Sequence, residues 1–197
     1  GSDVSTIVVD STISGGVHRA AFEIFSYDNT QIKNLGFEIN AANAAILAAS
    51  YTNLTIKNCK FSITGAAQGA IVLGTYTSGG TWERAIIDGN EFVDCPETYG
   101  VEMNTFSGRG PINDVEITRN KFTSVKYACV KFTAVSGIVQ NVKIKGNKAY
   151  DIIGDTPPGL YGTFVTGGLD TAYQVRDVIV EDNYYKNTLV NKAKGFA

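Results

Sequence analysis

Histidine and tryptophan occur once each in the 197 residues, at His18 and Trp82, and cysteine three times, at Cys59, Cys95 and Cys129. A single histidine removes most histidine-dependent chemistry. Three cysteines cannot all pair, and a chain of this length needs no disulfide staples, so they read as free thiols. No His/Cys cluster has zinc spacing, no Gly-x-Ser-x-Gly elbow or phosphate-binding loop is present, and no group of three aspartates suggests calcium. The expectation is a protein without a metal or a cofactor. Charge of one sign is also lacking: the net charge is −2 and the isoelectric point about 5.4. With no basic stripe, no nucleic-acid partner is expected. The longest nearly apolar run, "AANAAILAAS" at positions 41–50, is too short to cross a bilayer, so no membrane insertion is expected. Gly1-Ser2 reads as a cloning scar with no leader behind it, leaving 3–197 as one domain with room for a substantial core.

What is present is a repeat. A polar residue followed by alternating apolar residues opens seven segments: "TIVV" from Thr6, "NLGF" from Asn34, "NLTI" from Asn53, "RAII" from Arg84, "DVEI" from Asp114, "NVKI" from Asn141 and "DVIV" from Asp177. The spacings are 28, 19, 31, 30, 27 and 36 residues. Three residues past the last apolar position stand Thr12, Asn40, Cys59, Asn90, Asn120, Asn147 and Asn183. Two residues further an apolar or aromatic residue often follows, as at Phe61, Phe92, Phe122, Ala149 and Tyr185. Each segment also carries a second strand-like piece, in which period-two alternation places Phe22, Ile46, Ile71, Val101, Val130 and Phe164 on one face. Short β-branched runs broken by Gly and Asn, with weak helical periodicity, are what a parallel β-helix requires: no circuit buries its apolar face alone, so circuits stack like upon like. Asparagine suits the corner between strands, because it tolerates the left-handed backbone and stacked amides can bond one another along the axis. A β-sandwich would need hairpin turns such as Asn-Gly, which are sparse here.

The series "NLTIKNCKF", "AIIDGNEF", "DVEITRNKF" and "NVKIKGN" resembles the right-handed parallel β-helix superfamily typified by pectate lyases, which includes polygalacturonases, polysaccharide depolymerases and bacteriophage tailspikes. The resemblance runs from Val4 to about Leu189. It implies an all-β, right-handed, single-stranded parallel β-helix of about six to seven coils with an asparagine ladder. The pectinolytic motifs are missing: there is no Asp-Asp and no Gly-His-Gly, "KIK" at Lys143–Lys145 matches an Arg-Ile-Lys motif only faintly, and Gly89 stands in "IIDGN" where pectate lyases carry histidine. These departures point away from pectin and toward a phage tailspike or appendage, located on the virion tail or outside the cell. Such proteins are commonly homo-trimers that meet a polysaccharide or cell-surface glycan. Two alternatives stay open: a secreted bacterial polysaccharide lyase or glycoside hydrolase, and a non-enzymatic β-helical spacer or adhesin.

The outward positions of the second strand carry the candidate chemistry. Glu102 and Lys131 are expected in neighbouring coils on one face, with Asp94 and Glu97 as candidate second acids. Glycoside hydrolysis needs two carboxyl groups about 5–9.5 Å apart, and uronate lysis needs a base with a cation. The plain alternative is a surface ion pair worth about 0–1 kcal/mol. Trp82, Tyr76, Tyr99, Phe106, Arg109, Tyr127 and Tyr161, on flanking loops, are the expected substrate-binding wall, since aromatic planes pack on sugar C–H faces.

Overall fold

The computed structural model describes residues 5–9, 20–40, 44–65, 69–75, 81–96, 98–105, 111–134, 137–153, 165–169, 174–186 and 188. In chain order the strands are β1 (Ser5–Val9), β2 (Ala20–Ile24), β3 (Tyr27–Asp28), β4 (Gln31–Lys33), β5 (Leu35–Ile39), β6 (Ala44–Ala48) and β7 (Tyr51–Lys57). Next come β8 (Lys60–Ile63), β9 (Gly69–Thr75), β10 (Trp82–Asp88), β11 (Glu91–Cys95), β12 (Tyr99–Thr105), β13 (Ile112–Thr118) and β14 (Lys121–Val125). The last are β15 (Val130–Ala134), β16 (Ile138–Lys145), β17 (Lys148–Tyr150), β18 (Val165–Leu169), β19 (Gln174–Glu181) and β20 (Tyr184–Lys186). No helix occurs among the described residues. The first sheet runs β1-β5-β8-β11-β14-β17-β20, the second β2-β6-β9-β12-β15-β18, and the third β3-β7-β10-β13-β16-β19, with β4 also on β7. Every pairing is parallel, and the chain visits the three sheets in rotation, with β3 and β4 together making one third-sheet visit. The protein is therefore all-β with three parallel sheets, compatible with a parallel β-helix.

Like residues do lie over like. Phe37, Phe61, Phe92 and Phe122 stack in the first sheet at centroid separations of 5.0, 5.0 and 4.6 Å, with interplanar angles of 7°, 17° and 8°. Burying each ring stabilises the fold by about 2–3 kcal/mol before the stacking geometry adds its share. Gly100 is required beside this column, because a Cβ there would stand 2.4 Å from the Phe122 ring and 2.6 Å from the Cys129 carbonyl. The cysteines are free and buried, as their number implied. Burial raises the thiol pKa at all three, that of Cys95 to about 12, which makes them inert packing residues.

At the corner from the third sheet to the first, the asparagines bond one another. Asn120 Oδ1 accepts from the backbone N–H and from Nδ2 of Asn90, at 2.9 and 3.0 Å. Asn120 Nδ2 donates to the Ile87 carbonyl at 2.8 Å and to Asn147 Oδ1 at 3.1 Å. Asn147 repeats the pattern with Ile117 and Asn183. Every polar site of the Asn120 and Asn147 amides is paired, so their burial costs little. Cys59 ends the column, its N–H donating to Asn90 Oδ1 at 2.9 Å.

The left-handed conformation expected of these asparagines belongs to other residues. It falls on the residue just before each of them (Asn58, Gly89, Arg119, Gly146, Asp182) and on the polar residue that opens each segment (Asn53, Arg84, Asp114, Asn141, Asp177). The opening residue bends the third-sheet strand and resets its period-two phase. Hence Trp82 and Ala85, three residues apart, both face inward and are buried.

The first two expected copies are out of register. "NLGF" belongs to β5 and lies on β8 in the first sheet, Phe37 opposite Phe61, whereas the third-sheet partner of "NLTI" is "NTQI" from Asn29, with Ile32 opposite Ile56. "TIVV" likewise sits in the first sheet, Thr6 opposite Gly36. Asn40 consequently misses the corner and accepts a hydrogen bond from Thr64 Oγ1 at the surface. Strands of the first and third sheets share the same apolar alternation, so the pattern alone does not tell them apart. In the second sheet Val130 pairs with Val165 and Lys131 with Thr166, a shift of one from the expected Phe164, which lies outside the described residues.

Candidate functional site

The second sheet sets the site. Its β6 is buried along its whole length, as is β12, although their alternate residues point away from the barrel interior. On that outer face Leu47 and Val72 join Ala20 and Ala44 in a small apolar cluster separate from the main core. Register then carries the column from Val72 to Glu102 and on to Lys131. The expected adjacency holds, with Lys131 Nζ 3.3 Å from Glu102 Oε1. The pair is not a surface ion pair, because the Glu102 side chain is 1% exposed and that of Lys131 25%.

Two residues that sequence reasoning passed over complete the arrangement. Thr133 Oγ1 donates to Glu102 Oε1 at 2.9 Å, and Asn104 Nδ2 lies 3.4 Å from the same oxygen. Both stand two positions beyond the pair on the same face, Asn104 opposite Thr133, so period-two alternation applied to "GVEMNT" and "CVKFT" reaches them. Glu102 Oε2 and Asn104 Oδ1 are buried and accept no hydrogen bond among the described residues. Two unpaired acceptors on one face are costly to bury, and each has the capacity to accept from a donor.

Aromatic groups flank the pair, but fewer than expected. Lys131 Nζ lies 4.5 Å from the centre of the Tyr99 ring, which packs against Tyr127 at 4.8 Å, and Lys126 Nζ sits 4.8 Å over Tyr127. Tyr99 is 7% exposed, so Tyr127 and Lys131 form the accessible rim. Trp82 is a correction: it is 1% exposed and packs in the interior over Tyr51 and Ile112, because Arg84 resets the strand phase. Asp94 is another correction. It is the left-handed bend residue of β11 and lines a hollow on the first sheet with Glu38, Lys60 and Ser62, away from the Glu102 face. Tyr76, Glu97, Phe106, Arg109 and Tyr161 lie outside the described residues.

A second acidic centre, Asp88 on the third sheet, is fully paired. The Arg119 guanidinium grips both carboxylate oxygens at 2.8 and 2.6 Å, Thr118 Oγ1 donates at 2.9 Å, and Lys57 Nζ lies at 3.2 Å. The Arg119 hydrogen bonds, helped by Thr118 and Lys57, outweigh burial and hold the Asp88 pKa below the usual carboxylate range. A carboxylate so satisfied has nothing left to offer a ligand. The Glu102 group has free acceptors, a cation beside it and an aromatic flank, which suits it to holding hydroxyl or amine donors.

Comparison with protein-family models, with curated proteins and with solved structures yields no match for this chain.

Proposed function

We propose that the chain is a carbohydrate-binding segment of a bacteriophage tailspike or appendage, wound as a right-handed parallel β-helix of six to seven coils with an asparagine ladder. One observation carries the reading: the buried, unpaired acceptors Glu102 Oε2 and Asn104 Oδ1, beside Lys131 and the Tyr99–Tyr127 pair. A vicinal diol supplies two donors at the separation of neighbouring acceptors, and a sugar's C–H face packs on a tyrosine ring. Among the described residues the outward column of this sheet carries two carboxylates, Glu23 and Glu102, three strand spacings or about 14 Å apart, with Glu102 paired to Lys131, and binding needs no more than that. A two-acid hydrolysis would draw its second acid from elsewhere. In a virion the segment would act as a homo-trimer against a cell-surface glycan.

A glycan array probed with the wild type, Glu102→Gln and Lys131→Ala is the test. Loss of about tenfold or more in affinity for the bound glycan in Glu102→Gln is the supporting outcome. Unchanged binding in both variants removes the site. Appearance of new reducing ends with the wild type, absent in Glu102→Gln, would make the segment a depolymerase. Oligomeric mass in solution decides the trimer.

A further inference from the structure

Arg84 breaks the rule of its own column. The bend positions of the third sheet are Asn29, Asn53, Arg84, Asp114, Asn141 and Asp177, all at φ between 54° and 58°. Asparagine and aspartate adopt this left-handed conformation readily, whereas for a long side chain it is an unfavourable backbone state. The other left-handed arginine, Arg119, is explained by its grip on Asp88. Arg84 is exposed and makes no ion pair or hydrogen bond among the described residues. The left-handed state at position 84 serves the fold, as at every position of the column, but an arginine there has no structural partner, and that choice of side chain points to a role outside the fold.

Arg84 also lies in a hollow. The bend makes the outer face of the third sheet concave, and a trench of about 580 Å³ runs across successive strands, lined by Asn53, Arg84, Ile86, Asp114, Glu116 and Asn141 among others. Its five rows, from Asn29 to Asn141, span roughly 19 Å at a strand spacing of about 4.8 Å. The volume falls among those of small-molecule sites. The four ionic residues of the lining, Arg84, Lys143, Asp114 and Glu116, sum to zero, and Ile86 offers a half-buried apolar patch on the floor.

We infer that this trench is a second binding site, independent of Glu102, for a neutral linear polysaccharide lying along the sheet stack, with Arg84 as its anchor. The rows supply donors and acceptors between them: the Asn53–Thr55 row and Asn141 offer both, the Arg84 row donors and the Asp114–Glu116 row acceptors, which a polyhydroxyl chain can meet in turn. The rise per sugar in an extended glycan is close to the strand spacing, so successive sugars meet successive rows. An extended peptide, repeating every ~3.4 Å, falls out of step within two rows. A polyanion gains no net attraction from a lining whose charges cancel, and it must lie against Asp114 and Glu116 in the row beside Arg84. The Arg84 fork donates to ring and hydroxyl oxygens, and Ile86 takes a C–H face.

Arg84→Asn separates function from folding, since asparagine is what the column uses at positions 53 and 141. Binding of cellohexaose, mannohexaose, xylohexaose and hexagalacturonate is measured by calorimetry for the wild type, Arg84→Asn and Glu102→Gln. The expected result is binding of at least one neutral hexasaccharide, weakened about ten- to a hundredfold in Arg84→Asn, with the Arg84-dependent binding step still present in Glu102→Gln, where only the step at Glu102 is lost. The melting temperature of Arg84→Asn is expected to equal the wild type's or exceed it by about 3 °C. Binding lost in Glu102→Gln but intact in Arg84→Asn overturns this site and leaves the Glu102 reading standing. Binding of hexagalacturonate alone, or of none of the four, overturns the ligand class. A lower melting temperature in Arg84→Asn overturns the claim that the arginine is there for a ligand.

Discussion

The corner asparagines and Glu102 are both buried polar groups placed over their counterparts in neighbouring strands, yet they are satisfied very differently. Asn120 has all of its amide sites paired, two of them to backbone. Glu102 has one oxygen crowded by Lys131, Thr133 and Asn104 and the other left without a partner. Repetition explains the contrast. A column of identical amides donates forward and accepts backward at every step. A column reading Val72, Glu102, Lys131 changes chemistry at each step and cannot close on itself. The first pattern belongs to the scaffold, the second to the surface we propose as a binding site.

That comparison can be broken in graded ways. The largest effect is expected for Asn120→Ala, which orphans the Asn90 N–H and the Ile87 carbonyl and takes one of the two partners of Asn90 Nδ2. A loss on the order of 3–5 kcal/mol should appear in urea unfolding. Phe92→Ala removes the middle of the ring stack and should cost about 3–4 kcal/mol in the same measurement. A loss below ~1 kcal/mol in either variant would mean that the columns do not hold the fold together.

Asp88→Asn should cost about 1–2 kcal/mol at neutral pH, since the acid is nearly buried while Arg119 and Lys57 remain solvated when it goes. The folded-state pKa of Asp88 is depressed, so its contribution is fully present above the ordinary carboxylate value and disappears as pH falls through the lower folded value. The wild type and Asp88→Asn should therefore converge in stability in acid. A difference that grows on acidification contradicts the arrangement. The smallest effect is expected for Glu102→Gln. Half its carboxylate is unpaired, so removing the charge should change stability by no more than about 1 kcal/mol in either direction while glycan binding falls.

How legible was all this in the sequence? The asparagines at 90, 120, 147 and 183 and the phenylalanines two residues on were, because a stacked architecture repeats its needs at each circuit. The adjacency of Glu102 and Lys131 followed from the same alignment. Three things were hidden. Sheet identity was ambiguous at Asn34, since strands of the first and third sheets alternate alike. The inward turn of Trp82 was invisible to a period of two, because a left-handed residue at Arg84 shifts the phase. The bend at Asp94 similarly sent that acid to another face. Left-handed residues were the missing signal, and polar residues such as Asn53, Asp114 and Asn141, which open each repeated segment inside its strand, mark them once their role is known.

The asparagine side chains themselves offer the sharpest measurement. Hydrogen exchange of their carboxamide protons, followed by NMR, reads the corner directly. Protons of Asn120 and Asn147 should exchange as slowly as the backbone amides of β13 and β16, while those of Asn53 and Asn141 in the trench exchange fast. Fast exchange at Asn120 and Asn147 would contradict the stacking of the strands one above another.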